Sequence, residues 1–237
     1  MHELPHPREN AWLIGHSEAQ ARFIGEFTRG TVHHAYLMTG AKGIGKATLA
    51  YRFARYVLGQ GALAGKKIEA EAPSMSLFGE PEPAVSEQSP VTSDLEMGAD
   101  DPLFRRIATG SHTDLLVLSP AYDAKKGIEK DIITVDDARK VPEFLSLTPA
   151  EGDWRVVIVD AVDQLNDNAA NALLKILEEP PARAMLFLIC HQPGAILTTI
   201  KSRCRTLQLD VPAQAEFNEV LHKLSPAIPQ HDYAALY

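Results

Sequence analysis

The sequence lacks the features that mark several large protein classes. Among its 237 residues only Cys190 and Cys204 are cysteines, which provides neither a disulfide framework nor a four-thiolate zinc site. No run of 18 apolar residues occurs, so no hydrophobic spanning helix is expected. The start, Met1-His2-Glu3-Leu4-Pro5-His6-Pro7, lacks the basic-then-apolar order of a secretion signal. A cytoplasmic protein without a membrane partner is expected. There is also no excess of positive charge. The net charge is −8, and nearly all of it lies between Gly59 and Asp101, where nine carboxylates face only Lys66 and Lys67. The remainder is close to neutral, so charge neither favours nor excludes a nucleic-acid partner.

What is present suffices for a core: 45% of residues are hydrophobic, and the length allows one large or two smaller domains. Helical periodicity runs from about Ser17, a candidate N-cap, to Thr28. A short apolar strand follows over His34–Thr39, then the glycine-rich stretch Gly40-Ala41-Lys42-Gly43-Ile44-Gly45-Lys46. A helix over Ala47–Leu58 carries Leu49, Ala50, Phe53, Ala54 and Val57 on one face. Residues 59–101, with Pro73, Pro81, Pro83, Ser86, Ser89 and Pro90, read as an acidic, mobile insertion without a core of its own. Beyond it the pattern predicts a strand over Asp114–Leu118 and a helix over Thr134–Leu145 interrupted by Pro142. A strand over Trp154–Val159, a helix over Asn168–Glu179 stopped by Pro180-Pro181, and a strand over Met185–Cys190 come next. A short helix over Ile196–Ile200 and a last strand over Thr206–Leu209 complete it. Alternating strands and helices predict an α/β fold with a parallel sheet covered on both faces.

The glycine stretch fits the first seven positions of a phosphate-binding P-loop, and it lies between a strand and a helix as that motif requires. Gly40, Gly43 and Gly45 would let backbone N–H groups approach phosphates, and Lys46 would reach the β/γ oxygens. The eighth position, however, is Ala47, which has no hydroxyl for magnesium. Thr48 comes one position late, turned by about 100° on the helix. Asp160, at the end of a strand, is either a metal-shell carboxylate or a cap for the next turn. Ala161 after it cannot orient or deprotonate water, and Asp163 points in a different direction. Ser202-Arg203-Cys204, flanked by Lys201 and Arg205, is either a solvated basic turn or an arginine finger acting on a partner's phosphate.

Together, residues 43–50, Asp160-Ala161-Val162-Asp163, the Asn168–Pro181 helix and Thr199–Arg205 resemble the bacterial clamp-loader branch of the AAA+ P-loop proteins. The resemblance runs from about Ala11 to Val211, the insertion excepted. It implies an AAA+ domain over 1–212. Residues 213–237 would form a linking helix from about Glu216 to Leu224 and the start of a helical lid at Tyr233–Tyr237, with the rest of the lid and a collar domain lying beyond. It also implies DNA replication within the DNA polymerase III holoenzyme, a nucleotidyltransferase complex in which this chain is not itself the catalyst. Arg203, between Ser202 and Cys204, takes the finger position, and Gly15-His16 the segment near the adenine pocket. Implied partners are the ATPase and delta subunits of the loader and, through the complex, the sliding clamp and primer-template DNA; the chain alone is expected to be a monomer. Relatives often carry a four-cysteine zinc module where the acidic insertion stands here, so no zinc is expected, and no cofactor is required. ATP with magnesium is weighed at the degenerate loop (Gly40, Gly43, Gly45, Lys46, Thr48, Asp160). Cys190-His191 takes the sensor position, where a cysteine reads more readily as core packing. Two other readings compete: an ATP-hydrolysing subunit of the same machine, opposed by Ala47 and Ala161, and a small-molecule P-loop kinase, opposed by the lack of an arginine-bearing lid.

Overall fold

The computed structural model describes residues 5–71, 95–120, 122–123, 128–129 and 132–224, with side chains for all of these except 61–71, 122–123, 128–129 and 224. Helix α1 (Ser17–Thr28) precedes β1 (Ala35–Thr39) and α2 (Lys46–Glu71). Then come α3 (Pro102–Ala108), β2 (Leu115–Leu118) and the small pair β3 (Tyr122–Asp123) and β4 (Ile128–Glu129). Helix α4 (Val135–Ser146), β5 (Arg155–Asp160), a 3₁₀ turn at Val162–Gln164 and α5 (Asp167–Glu178) follow. The order ends with β6 (Ala184–Cys190), α6 (Thr198–Lys201), β7 (Arg205–Gln208) and α7 (Gln214–Leu224).

The main sheet has the order β2-β5-β6-β1-β7, and every pairing in it is parallel. Strands buried on both faces must be apolar at consecutive positions, and β6 (Ala-Met-Leu-Phe-Leu-Ile-Cys) is buried throughout. Successive side chains enter opposite layers. Tyr36, Met38, Val156, Ile158, Phe187 and Ile189 meet Phe23, Leu49, Phe53 and Val57 from α1 and α2. Leu37, Val157, Val159, Leu186 and Leu188 meet Val141, Leu145, Leu173, Ile176 and Leu177 from α4 and α5. In the first layer Phe23 stacks on Phe53 with ring centroids 4.0 Å apart, and Tyr36 and Phe187 close the aromatic cluster edge-on or tilted.

Several boundaries differ from the sequence reading. Ser17 is the first residue of α1, not its cap: His16 precedes it in a left-handed conformation and makes no side-chain cap bond. Helix α2 continues past Leu58 to Glu71, thirteen residues into the expected insertion. Leu95, near the other end of that insertion, is buried in the first layer, and Gly59 lies against Leu103 and Met97. Residues 72–94, the middle of the insertion, and Tyr233–Tyr237, the expected start of the lid, lie outside the described residues. Helix α3 falls where the sequence pattern predicts no element. Its signal was Asp101 before Pro102: the Asp101 carboxylate accepts from the backbone N–H of Leu103 and Phe104, and the proline opens the helix. Pro142 does not interrupt α4, which runs through it from an N-cap at Thr134. No described helix is long and apolar enough to cross a membrane.

Candidate functional site

The P-loop sits where β1 leaves the sheet. Gly40 has φ +147°, and a Cβ there would stand 2.4 Å from the carbonyl oxygen of Leu209, so only glycine passes between β1 and the extension of β7. Gly43 and Gly45 also have positive φ, 89° and 94°. Lys46 does not project outward. Its Nζ donates to the carbonyls of Gly40 (2.7 Å) and Ala41 (2.5 Å), and the residue is 2% exposed. Burial lowers its pKa, against the opposing influence of Cys190, Asp160 and Asp163. The N-terminal segment closes over the loop: His16 Nε2 donates to the Ile44 carbonyl at 2.7 Å, and Gln20 to that of Gly15 at 2.9 Å. Thr48 is buried within α2.

Three acceptors of protons gather beside this loop. Asp160 ends β5, and burial raises its carboxyl pKa despite His191, Lys46 and His6 nearby. Its Oδ1 lies 4.0 Å from His191 Nε2. Burial, then Lys46, hold His191 below the ordinary histidine range. Asp163, set aside in the sequence reading, turns back from the 3₁₀ turn, and its Oδ1 accepts from the His191 backbone N–H at 2.9 Å. Ala161 is 1% exposed, and its methyl offers no group that could accept a proton. Cys190 belongs to the second core layer, and burial, then Asp163, push its thiol up to about 11. Among the described residues no group of three or more His, Cys, Asp or Glu side chains is placed to hold a metal ion. A cleft of about 250 Å³ lies between the start of α1 and the end of β7, lined by His16, Ser17, Arg22, Gln208 and Asp210 among others. The carboxyl of Glu216 stands against Gly15 at its edge.

Ser202, Arg203 and Cys204 form the turn between α6 and β7, and the sheet separates them from the P-loop. Arg205 is level with Tyr36 in the parallel β1–β7 register, whereas the P-loop begins beyond Thr39. At about 3.3 Å per residue the two ends stand roughly 13 Å apart along the sheet. Helix α5 spans the same gap on the outside, from the Asp163 side to Glu178 beside Arg203. The candidate residues are thus two groups at opposite ends of the parallel strands, not one site. Arg203 is not freely solvated, as its charged turn suggested. Its Nη1 donates to the Thr199 carbonyl (2.9 Å) and Ser202 Oγ (3.3 Å), its Nη2 lies 2.9 Å from Glu178 Oε1, and the side chain is 34% exposed. Ser202 is exposed, and Cys204, half-buried, has its thiol pushed up to about 12 by burial. Arg205 is fixed on the inner side: it pairs at 2.9 Å with Glu26, which is buried and also accepts from Tyr36 Oη at 2.6 Å. The sequence reading missed Glu178, Glu26 and the placement of Asp163, because each joins segments distant along the chain.

The sequence profile of the family described as DNA polymerase III, delta subunit, matches residues 97–213. DNA polymerase III subunit delta' of Pseudomonas aeruginosa is 35% identical over 197 residues, 83% of this chain and 49% of that protein. The chain belongs to the AAA+ clamp-loader family of DNA polymerase III subunits. The delta' subunit of Escherichia coli is 31% identical over 81% of this chain and 47% of that protein. The tau subunit of Salmonella typhimurium is 26% identical over 96% of this chain and 29% of its own length. The chain spans about half the length of the delta' relatives it matches. Two Thermotoga maritima structures, the RuvB Holliday junction branch migration motor and a point variant of RuvB, align with TM-scores of 0.50 and 0.52. Both are 16% identical, covering 93% and 96% of this chain and 55% and 58% of theirs. At that identity the likeness speaks for the fold alone, an AAA+ parallel sheet.

Proposed function

We propose that this chain is a non-hydrolysing delta-prime-type subunit of a clamp loader. It gives Arg203 to ATP bound on a neighbouring ATPase subunit and helps place the sliding clamp on primed DNA. The observation that carries this reading is the separation of Arg203 from the chain's own P-loop by the height of the sheet. A guanidinium at that end of the strands cannot reach a phosphate at Lys46, but it can face a phosphate presented by another chain. Charge building on the transferred phosphoryl group is what such a cation stabilises.

The chain's own loop fits hydrolysis poorly. The glycines keep a phosphate-compatible backbone, yet Lys46 is engaged by loop carbonyls, Ala47 offers no oxygen to magnesium, and Ala161 is buried without a base. The isolated chain should therefore turn over ATP no faster than buffer. Turnover that Lys46→Ala abolishes would favour the ATP-hydrolysing alternative.

The direct test uses the full-length protein in a reconstituted loader in which the ATPase site beside this chain is the one active site. Arg203→Ala should leave assembly intact and lower turnover there by about 10³ or more. Unchanged turnover, or a complex that fails to form, would overturn the finger assignment.

A further inference from the structure

We propose that Glu178 is the positioning residue for Arg203, holding the guanidinium in the orientation in which it meets the partner's nucleotide. The inference rests on the finger reading above and goes beyond it by naming what aims the finger.

An arginine side chain in an exposed turn samples many rotamers, and a finger acts only when its fork is already placed as charge develops. Here both terminal nitrogens are held. Nη1 donates to the carbonyl of Thr199 in α6, which fixes the side chain relative to that helix. Nη2 lies 2.9 Å from Glu178 Oε1, which fixes it relative to α5. The Arg203 side chain nonetheless stays one-third exposed, which leaves room for an incoming phosphate.

Glu178 occupies a place that local helix energetics disfavour. It is the last residue of α5, where backbone carbonyls already concentrate negative charge and a cation is preferred. The Arg203 guanidinium supplies that cation from outside the helix. The support beneath Glu178 is rigid: Leu177 is 2% exposed in the core, and its carbonyl accepts from His34 Nε2 at 3.1 Å, tying the end of α5 to the start of β1. On the other side of the turn, Arg205 is pinned to the buried Glu26. The finger is therefore suspended between two anchored elements, with Glu178 as the contact to the second. Because the Glu178 side chain is half exposed, the pair adds little to folding, and variants at this position should fold.

The test is made in the same reconstituted loader with full-length protein, measuring kcat and KM for ATP at the adjoining site. Glu178→Ala should lower kcat by about tenfold or more, towards the roughly hundredfold that a misplaced group can cost, with KM little changed. Glu178→Gln, which keeps an acceptor oxygen, should recover part of that loss. In an Arg203→Ala background Glu178→Ala should add nothing, since the group it positions has gone. An effect of Glu178→Ala that persists without Arg203 would show a structural role and overturn the inference. A rise in turnover would overturn it too, showing a restraint on the finger. If Arg203→Ala lowers turnover while Glu178→Ala does not, positioning fails and the finger reading survives. If Arg203→Ala itself has no effect, the finger reading fails and this inference with it.

Discussion

Asp114→Ala tests how this sheet carries its connections. Asp114 immediately precedes β2 and is 1% exposed, so its carboxylate is held by protein groups rather than by water. It accepts from the backbone N–H groups of Ala150 and Glu151 and lies 3.4 Å from Arg155 Nη2, at the start of the neighbouring strand. Arg155 also donates to the carbonyls of Phe144 and Thr148 and sits over the Phe144 ring. The pair therefore fixes the turn that brings the chain from α4 into β5. Removing the carboxylate leaves a buried guanidinium without its counter-ion and two N–H groups without acceptors, a loss of about 3–5 kcal/mol. For a chain of this size each kcal/mol moves the midpoint by about 2–4 °C, so Asp114→Ala should melt roughly 10 °C lower. The assay is thermal or urea unfolding followed by circular dichroism. Combining it with Arg155→Met should recover part of the loss, because the uncompensated charge is then gone. A loss below about 1 kcal/mol, the range of exposed ion pairs, would refute the argument.

Stability should decline as pH falls through and below 6.5, the ordinary histidine value. Burial lowers the pKa of His34, His112 and His191, so the folded chain binds fewer protons there than the unfolded one, and melting curves between pH 7.5 and 5 check this. A midpoint that holds steady or rises on acidification over that span would refute it. Asp160 has the opposite sign. Burial raises its pKa above 3.8, so its ionised form weakens the fold as pH rises through that window; Asp160→Asn should melt higher at pH 7, with the gap closing near pH 3.8. An Asn variant that melts lower at pH 7 would show Asp160 to be an anchored cap instead.

The order and type of most elements were legible in the sequence because their cause is local. Short unbroken apolar runs such as Met185–Cys190 and the β-branched Val156–Val159 read as strands buried on both faces, and the spacing of Ala169, Leu173, Ile176 and Leu177 makes one face of α5 apolar. The glycines at 40, 43 and 45 announced the P-loop, and Ala47 and Ala161 its missing oxygens, since backbone freedom and side-chain chemistry belong to single residues. Which groups meet was decided elsewhere. The full length of α2 depends partly on what it packs against, so its composition could not fix where it ends. Lys46 turns onto its own loop, Asp163 returns to hold His191, and Glu178 reaches Arg203 across 25 positions of chain. A lone carboxylate in a helix reads as a solvated surface group; it gains a role only when the parallel sheet brings the end of α5 beside the turn that opens β7. The same sheet sets Arg203 and Lys46 at opposite ends of its strands, a separation that follows from strand register, which pairs residues far apart along the chain.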